Sequence, residues 1–149
     1  MATIRRPASR QHTRPVRRLS PRECQDWLAS HGEGRLGYPT GRGPRSVVVR
    51  YAMTGGNVVF RLPDYNDIVH YAPGEHVTLE VDGPSAPRGE FETVIVRGRA
   101  ERAHAHQEHV AEAAFDEQWP PGVSTTVIHL PMTEVEGFEH DPAAPLTGS

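Results

Sequence analysis

Ser46-Val47-Val48-Val49-Arg50-Tyr51-Ala52-Met53, then Thr54-Gly55-Gly56, then Asn57-Val58-Val59-Phe60-Arg61-Leu62 is the stretch on which the fold turns. Two runs rich in β-branched and aromatic residues flank a pair of glycines, the residue that adopts the positive φ a tight turn demands. The pattern predicts a hairpin, with one strand over Ser46 to Met53 and its antiparallel partner over Asn57 to Leu62.

Working outward, Arg35-Leu36-Gly37-Tyr38 reads as a short strand before the hairpin. Ahead of it Ser20-Pro21-Arg22-Glu23 carries the marks of a helix start: a capping serine, a proline at the first helical position and a glutamate that completes a capping box. Leu19 and Cys24 fall at hydrophobic-staple positions, which gives Cys24 a packing role, and the helix is expected to run through Trp27 and Leu28 and stop at Gly32. Downstream, Val77, Leu79 and Val81 alternate with His76, Thr78, Glu80 and Asp82, the signature of a strand with one buried face. Further strands are expected from Thr93 to Ala100 and, as the last one, from Thr125 to Leu130, with a helix between them over about 105–118 and a Pro/Ala/Gly tail over 141–149. Strands joined by short turns favour an antiparallel barrel over a parallel, doubly wound sheet.

A chain of 149 residues with no internal repeat suits one domain. Cys24 is the only cysteine, so no disulfide forms within the chain and a disulfide-stapled scaffold is excluded. No apolar run approaches the roughly 20 residues of a membrane-spanning helix, and the N-terminus has no signal-peptide core, so a cytoplasmic protein is expected. All sixteen basic residues are arginine, which with 14 Gly and 14 Pro suggests a high-GC bacterial genome. Charge is unevenly spread: residues 1–18 hold six arginines and no acid, while the rest carries ten arginines against nineteen acids, a formal −9. The expected organisation is a flexible basic tail over 1–18, a domain over 19–140 and the C-terminal tail. A basic arm can hold nucleic acid through its phosphates, but the body offers no basic face to extend such a site, so the tail is read as lying on its own acidic domain or on a partner.

Three motifs lose most of their appeal in context. Gly32-Glu33-Gly34-Arg35-Leu36-Gly37 matches the dinucleotide pattern but closes a helix and opens a strand, the reverse of what pyrophosphate binding needs. Of His104, His106 and His109, only the last two share a helix face, and no HExxH pattern supports a metal. His129, among Val127, Ile128 and Leu130, reads as a packed strand residue.

Taken in order, Gly34-Arg35-Leu36-Gly37, Pro44 to Tyr51, Gly55-Gly56-Asn57-Val58-Val59-Phe60-Arg61, Leu79-Glu80-Val81-Asp82, Val94-Ile95-Val96-Arg97-Gly98-Arg99-Ala100 and the closing Pro131 to Gly137 resemble the pyridoxamine 5'-phosphate oxidase-like, FMN-binding split-barrel family. The resemblance implies a mainly β fold, an antiparallel six-stranded split β-barrel with flanking short helices. It also implies a homodimer with two equivalent flavin or deazaflavin sites between subunits, acting as an oxidoreductase on a small molecule. The cofactor residues it points to are Arg50, Tyr51, Arg61, Asn66, Thr93 and Arg97, the last two reaching the partner's site, with FMN as the cofactor; Arg45 is a further candidate cation. It assigns no catalytic residue and no metal.

A phosphate dianion needs a cationic, donor-rich cradle, and here the sequence departs from the family pattern. Leu62 stands where threonine is usual, Asp67 where lysine is usual, and Glu92-Thr93 where Trp-Ser is frequent. The proline usual in the family's second strand is absent too. The alternative is therefore a flavin-free split barrel that uses the same groove for another ligand, as a binding protein or a cofactor-independent enzyme.

Overall fold

A computed structural model describes residues 15–85, 90–104 and 120–140. Among the described residues ten strands and two short helices follow one another: β1 (Pro15–Arg18), α1 (Pro21–Ala29), β2 (Glu33–Thr40), β3 (Gly43–Arg50), β4 (Ala52–Thr54), β5 (Asn57–Pro63), α2 (Asp67–Tyr71), β6 (His76–Ser85), β7 (Glu90–Arg99), β8 (Glu101–Arg102), β9 (Thr125–Pro131) and β10 (Glu134–His140). All pairings are antiparallel and form two sheets, ordered β1-β10-β7-β6-β2-β3 and β4-β5-β9-β8.

Two corners turn these sheets into a barrel. The stretch expected as one strand, Ser46 to Met53, breaks at Tyr51, so β3 stays with β2 while β4 pairs with β5. There the Tyr51 N–H donates to the Gly32 carbonyl at 2.9 Å and its hydroxyl to the Leu28 carbonyl at 2.7 Å. The second corner is Ala100, between β7 and β8, where Ala100 N–H bonds Glu75 O at 2.9 Å and Gly74 N–H bonds Ala100 O at 2.7 Å. Following the pairings through both corners closes a ring: β2, β3/β4, β5, β9, β8/β7, β6 and back to β2. This is the six-stranded antiparallel split barrel, extended on one side by β10 and β1.

The barrel interior is filled by the alternate residues the sequence marks as apolar. Leu36, Leu79, Val81, Val94, Val96, Val58, Phe60, Ile128 and Leu130 are all essentially inaccessible to solvent. The β4–β5 turn runs through Gly55 and Gly56 with φ of +56° and +81°, the pair of positive values that a two-residue hairpin turn requires. Helix α1 plugs one end with Cys24, Trp27 and Leu28, the Trp27 indole donating to Val81 O at 3.1 Å. Its N-terminus has the expected capping box: Glu23 N–H bonds Ser20 Oγ at 3.1 Å and Ser20 N–H bonds Glu23 Oε1 at 2.8 Å. The helix ends at Ala29, before Gly32, and Ser30 caps it.

Two further expectations change. The basic segment does not stay free to residue 18: Pro15–Arg18 is strand β1, paired with β10. Arg17 clamps it there, with Nη1 at 2.9 and 3.0 Å from the Glu23 carboxylate oxygens and Nε at 3.1 Å from Glu139. The strand ending in Leu130 is not the last, because β10 follows it. The helix expected over 105–118, residues 1–14 and the tail 141–149 lie outside the described residues. No helix among the described residues is long and apolar enough to cross a membrane.

Candidate functional site

Because β3 pairs with β2 and then turns away at Tyr51, the far edge of β3 carries no neighbouring strand among the described residues. Across from that edge lie the end of β5 and α2, and between them opens a groove of about 370 Å³, within the range of small-molecule sites. Val47, Val48, Val49 and Arg50 all line it. Four consecutive strand residues can do so only if the groove meets the edge of the strand rather than one face, since neighbouring side chains point opposite ways. The backbone N–H and C=O groups of that edge, which meet no neighbouring strand among the described residues, therefore face the groove alongside the side chains.

The other wall is Arg61 and Leu62 from β5 and Asn66, Asp67 and Ile68 from the corner into α2, with Tyr38 and Arg45 completing the lining. Asn66 caps α2 through Oδ1, which accepts from Ile68 N–H at 2.9 Å. Arg61 donates from Nε to Thr125 Oγ1 at 3.1 Å, which fixes the stem of the guanidinium. Arg45 Nη1 lies 2.7 Å from Asp67 Oδ2. Among the described residues, three guanidiniums thus share the groove with one carboxylate.

Of the residues singled out from sequence, Arg50, Arg61 and Asn66 come together here. Tyr51 does not. It is 4 % exposed and turned into the core, where its hydroxyl is spent on Leu28 O and burial pushes its pKa up; the bend into β4 is what takes it off the groove. Thr93 and Arg97 lie on β7, which lines no part of this chain's groove. Arg97 donates to Glu136 Oε2 at 2.7 Å, and Thr93 is buried with its hydroxyl unpartnered among the described residues. Gly34 and Gly37 sit within β2, so the GxGxxG match has no phosphate-binding geometry. His129 pairs across from Val59 and Glu101, away from the groove, and desolvation lowers its pKa. His106 and His109 lie outside the described residues, and His104 is exposed.

Tyr38 and Ile68 belong to the groove although nothing in the sequence singled them out. Their only signal is the alternation that also marks ordinary core residues, so no pattern separates a lining position from a buried one.

A family model described as pyridoxamine 5'-phosphate oxidase matches residues 20–140, the whole barrel. The chain belongs to that family. Similar solved structures support the fold. An FAD binding protein from Mycobacterium smegmatis is 24% identical with a TM-score of 0.70, covering 85% of this chain and 98% of its own. A FAD-binding protein from Mesorhizobium loti is 20% identical with a TM-score of 0.68, covering 84% and 96%. An FAD and heme binding protein from Mycobacterium smegmatis is 12% identical with a TM-score of 0.69, covering 86% and 75%. No curated protein matches the sequence. For this pyridoxamine 5'-phosphate oxidase-like chain, the donor set suits an anionic planar ligand of the flavin class: guanidiniums for charged oxygens and a bare strand edge for a flat polar ring.

Proposed function

We propose that the groove binds a flavin, FMN in the first instance, and that the protein is a flavin-dependent oxidoreductase acting on a small molecule as a homodimer. One observation carries this: Arg50 and Arg61, from strands that do not pair with each other, converge on the unpaired edge of β3. FAD shares the ring and deazaflavins carry a close analogue of it with carbon in place of one ring nitrogen; both remain the alternatives within the class, and FAD binding by structural neighbours supports the class rather than one member.

A bound flavin supplies hydride transfer to or from a small molecule stacked on its ring. The chain's own residues position it. Arg50 and Arg61 hold anionic oxygens, with Asn66 beside them. Val47, Val49, Leu62 and Ile68 form the apolar wall that keeps water from the ring. In the homodimer, Arg97 of each copy reaches the groove of the other, whereas Thr93, buried within its own chain, has no surface to offer there.

The experiment is a visible spectrum of the purified protein followed by titration of FMN. Bound flavin gives a yellow preparation or quenches FMN fluorescence, and Arg61→Gln weakens binding by roughly tenfold or more. A colourless preparation that leaves fluorescence unchanged at roughly tens of micromolar flavin ends the flavoenzyme reading. The second reading, a flavin-free protein that holds another ligand in the same groove, draws support from Asp67, whose carboxylate stands on the groove wall and repels phosphate. The same titration separates the two.

A further inference from the structure

The Arg45–Asp67 ion pair joins the two walls of the groove: Arg45 stands on β3, Asp67 opens α2, and 2.7 Å separates Nη1 from Oδ2. Both side chains line the groove, and both are about half exposed, at 57% and 52%. An ion pair so open to water contributes little to stability and separates readily. Its charge nevertheless sits where a ligand's anionic group would lie against Arg45.

We propose that Asp67 is a specificity-determining residue, an internal anion that holds Arg45 and ranks ligands by the charge they bring to that end of the groove. This rests on the flavin reading above and adds to it a preference within the class. A terminal phosphate dianion that engages Arg45 as well as Arg50 and Arg61 must displace the carboxylate from Arg45 and then remain close to it. An uncharged ribityl end meets neither obstacle, and a pyrophosphate, whose charge is spread over two singly charged groups, falls between them. The groove therefore disfavours FMN relative to its own affinity for the flavin ring.

The test is fluorescence titration of the full-length protein and of Asp67→Asn with riboflavin, FMN and FAD as probes at low and moderate salt. Asn is nearly the same size at an exposed position, and thermal unfolding verifies the fold. Removing one negative charge about 6 Å from a dianion in water-like surroundings changes affinity roughly tenfold. The expected result is FMN bound about tenfold tighter by Asp67→Asn, riboflavin changed less than about twofold, FAD in between, and the FMN gain shrinking as salt rises. Asp67→Glu, which keeps the charge, leaves FMN within about twofold of the starting protein. If Asp67→Asn scales riboflavin and FMN by the same factor, or leaves FMN no tighter, the selectivity role is overturned while the flavin site stands. If neither folded protein perturbs any of the three probes, the flavin reading itself fails and this inference with it.

Discussion

Tyr51 is the residue at which one strand leaves a sheet and enters the other. Its side chain ties that bend to α1 through the Leu28 carbonyl, a buried acceptor beyond the reach of water. Tyr51→Phe keeps the ring and removes one of the carbonyl's two donors, the His31 N–H at 3.3 Å remaining, so it is expected to destabilise the protein by about 0.5–1.5 kcal/mol in urea denaturation. Gly34 makes a different demand. A Cβ placed there would lie 2.8 Å from the Glu80 carbonyl oxygen and 2.9 Å from Val81 Cγ2, with backbone on one side that has nowhere to go. Gly34→Ala is expected to cost about 1–3 kcal/mol by overpacking, measured by the shift in the unfolding midpoint. The glycine mimics a cofactor motif in sequence, yet its use is the close approach of β2 to β6.

At the scale of elements, α1 and β1 are held by one carboxylate. Glu23 accepts from Arg17 and from the Ser20 N–H, and the Arg17 guanidinium, with that backbone donor second, lowers its pKa from 4.5 to about 2. A carboxylate whose folded pKa is depressed contributes stability that is present above its unfolded pKa and lost as pH falls through the folded one. Glu23→Gln keeps a capping side chain but removes the charge. It is expected to lower the thermal midpoint at neutral pH, with the gap to the starting protein closing between about pH 4.5 and 2; a gap independent of pH would contradict the role given to Arg17. Strand β10 is an element the sequence conceals. Its glutamates stand on both faces, Glu134 and Glu136 meeting Arg97 and Arg18 on one and Glu139 meeting Arg17 on the other, so no two-residue alternation shows.

At the scale of the whole molecule, the split in the barrel and the groove are one feature. The ring closes through the corners at Tyr51 and Ala100, and the unpaired edge of β3 is what the corner at Tyr51 leaves behind. The proposed dimer places Arg97 against the other copy's groove, while Thr93 stays buried in its own chain. Light scattering is expected to give twice the chain mass, with one flavin bound per chain. Arg97→Ala is expected to weaken flavin binding without reducing the monomer's thermal stability by more than about 1 kcal/mol, as for an exposed ion pair. A monomer that still binds flavin would overturn the shared site.

Local chemistry in the sequence determined the hairpin through Gly55 and Gly56, the Ser20 capping box, the alternating β6 strand and the antiparallel class, because each depends on residues close together in the chain. The family resemblance, rather than local chemistry, pointed to Arg50, Arg61 and Asn66, which line the groove. Only the tertiary structure removed Tyr51 from that set, paired Arg45 with Asp67 and turned residues 15–18 into a strand. Those outcomes depend on where the chain bends and on which distant groups a bend brings within hydrogen-bonding range, and neither quantity is written in the periodicity of any single segment.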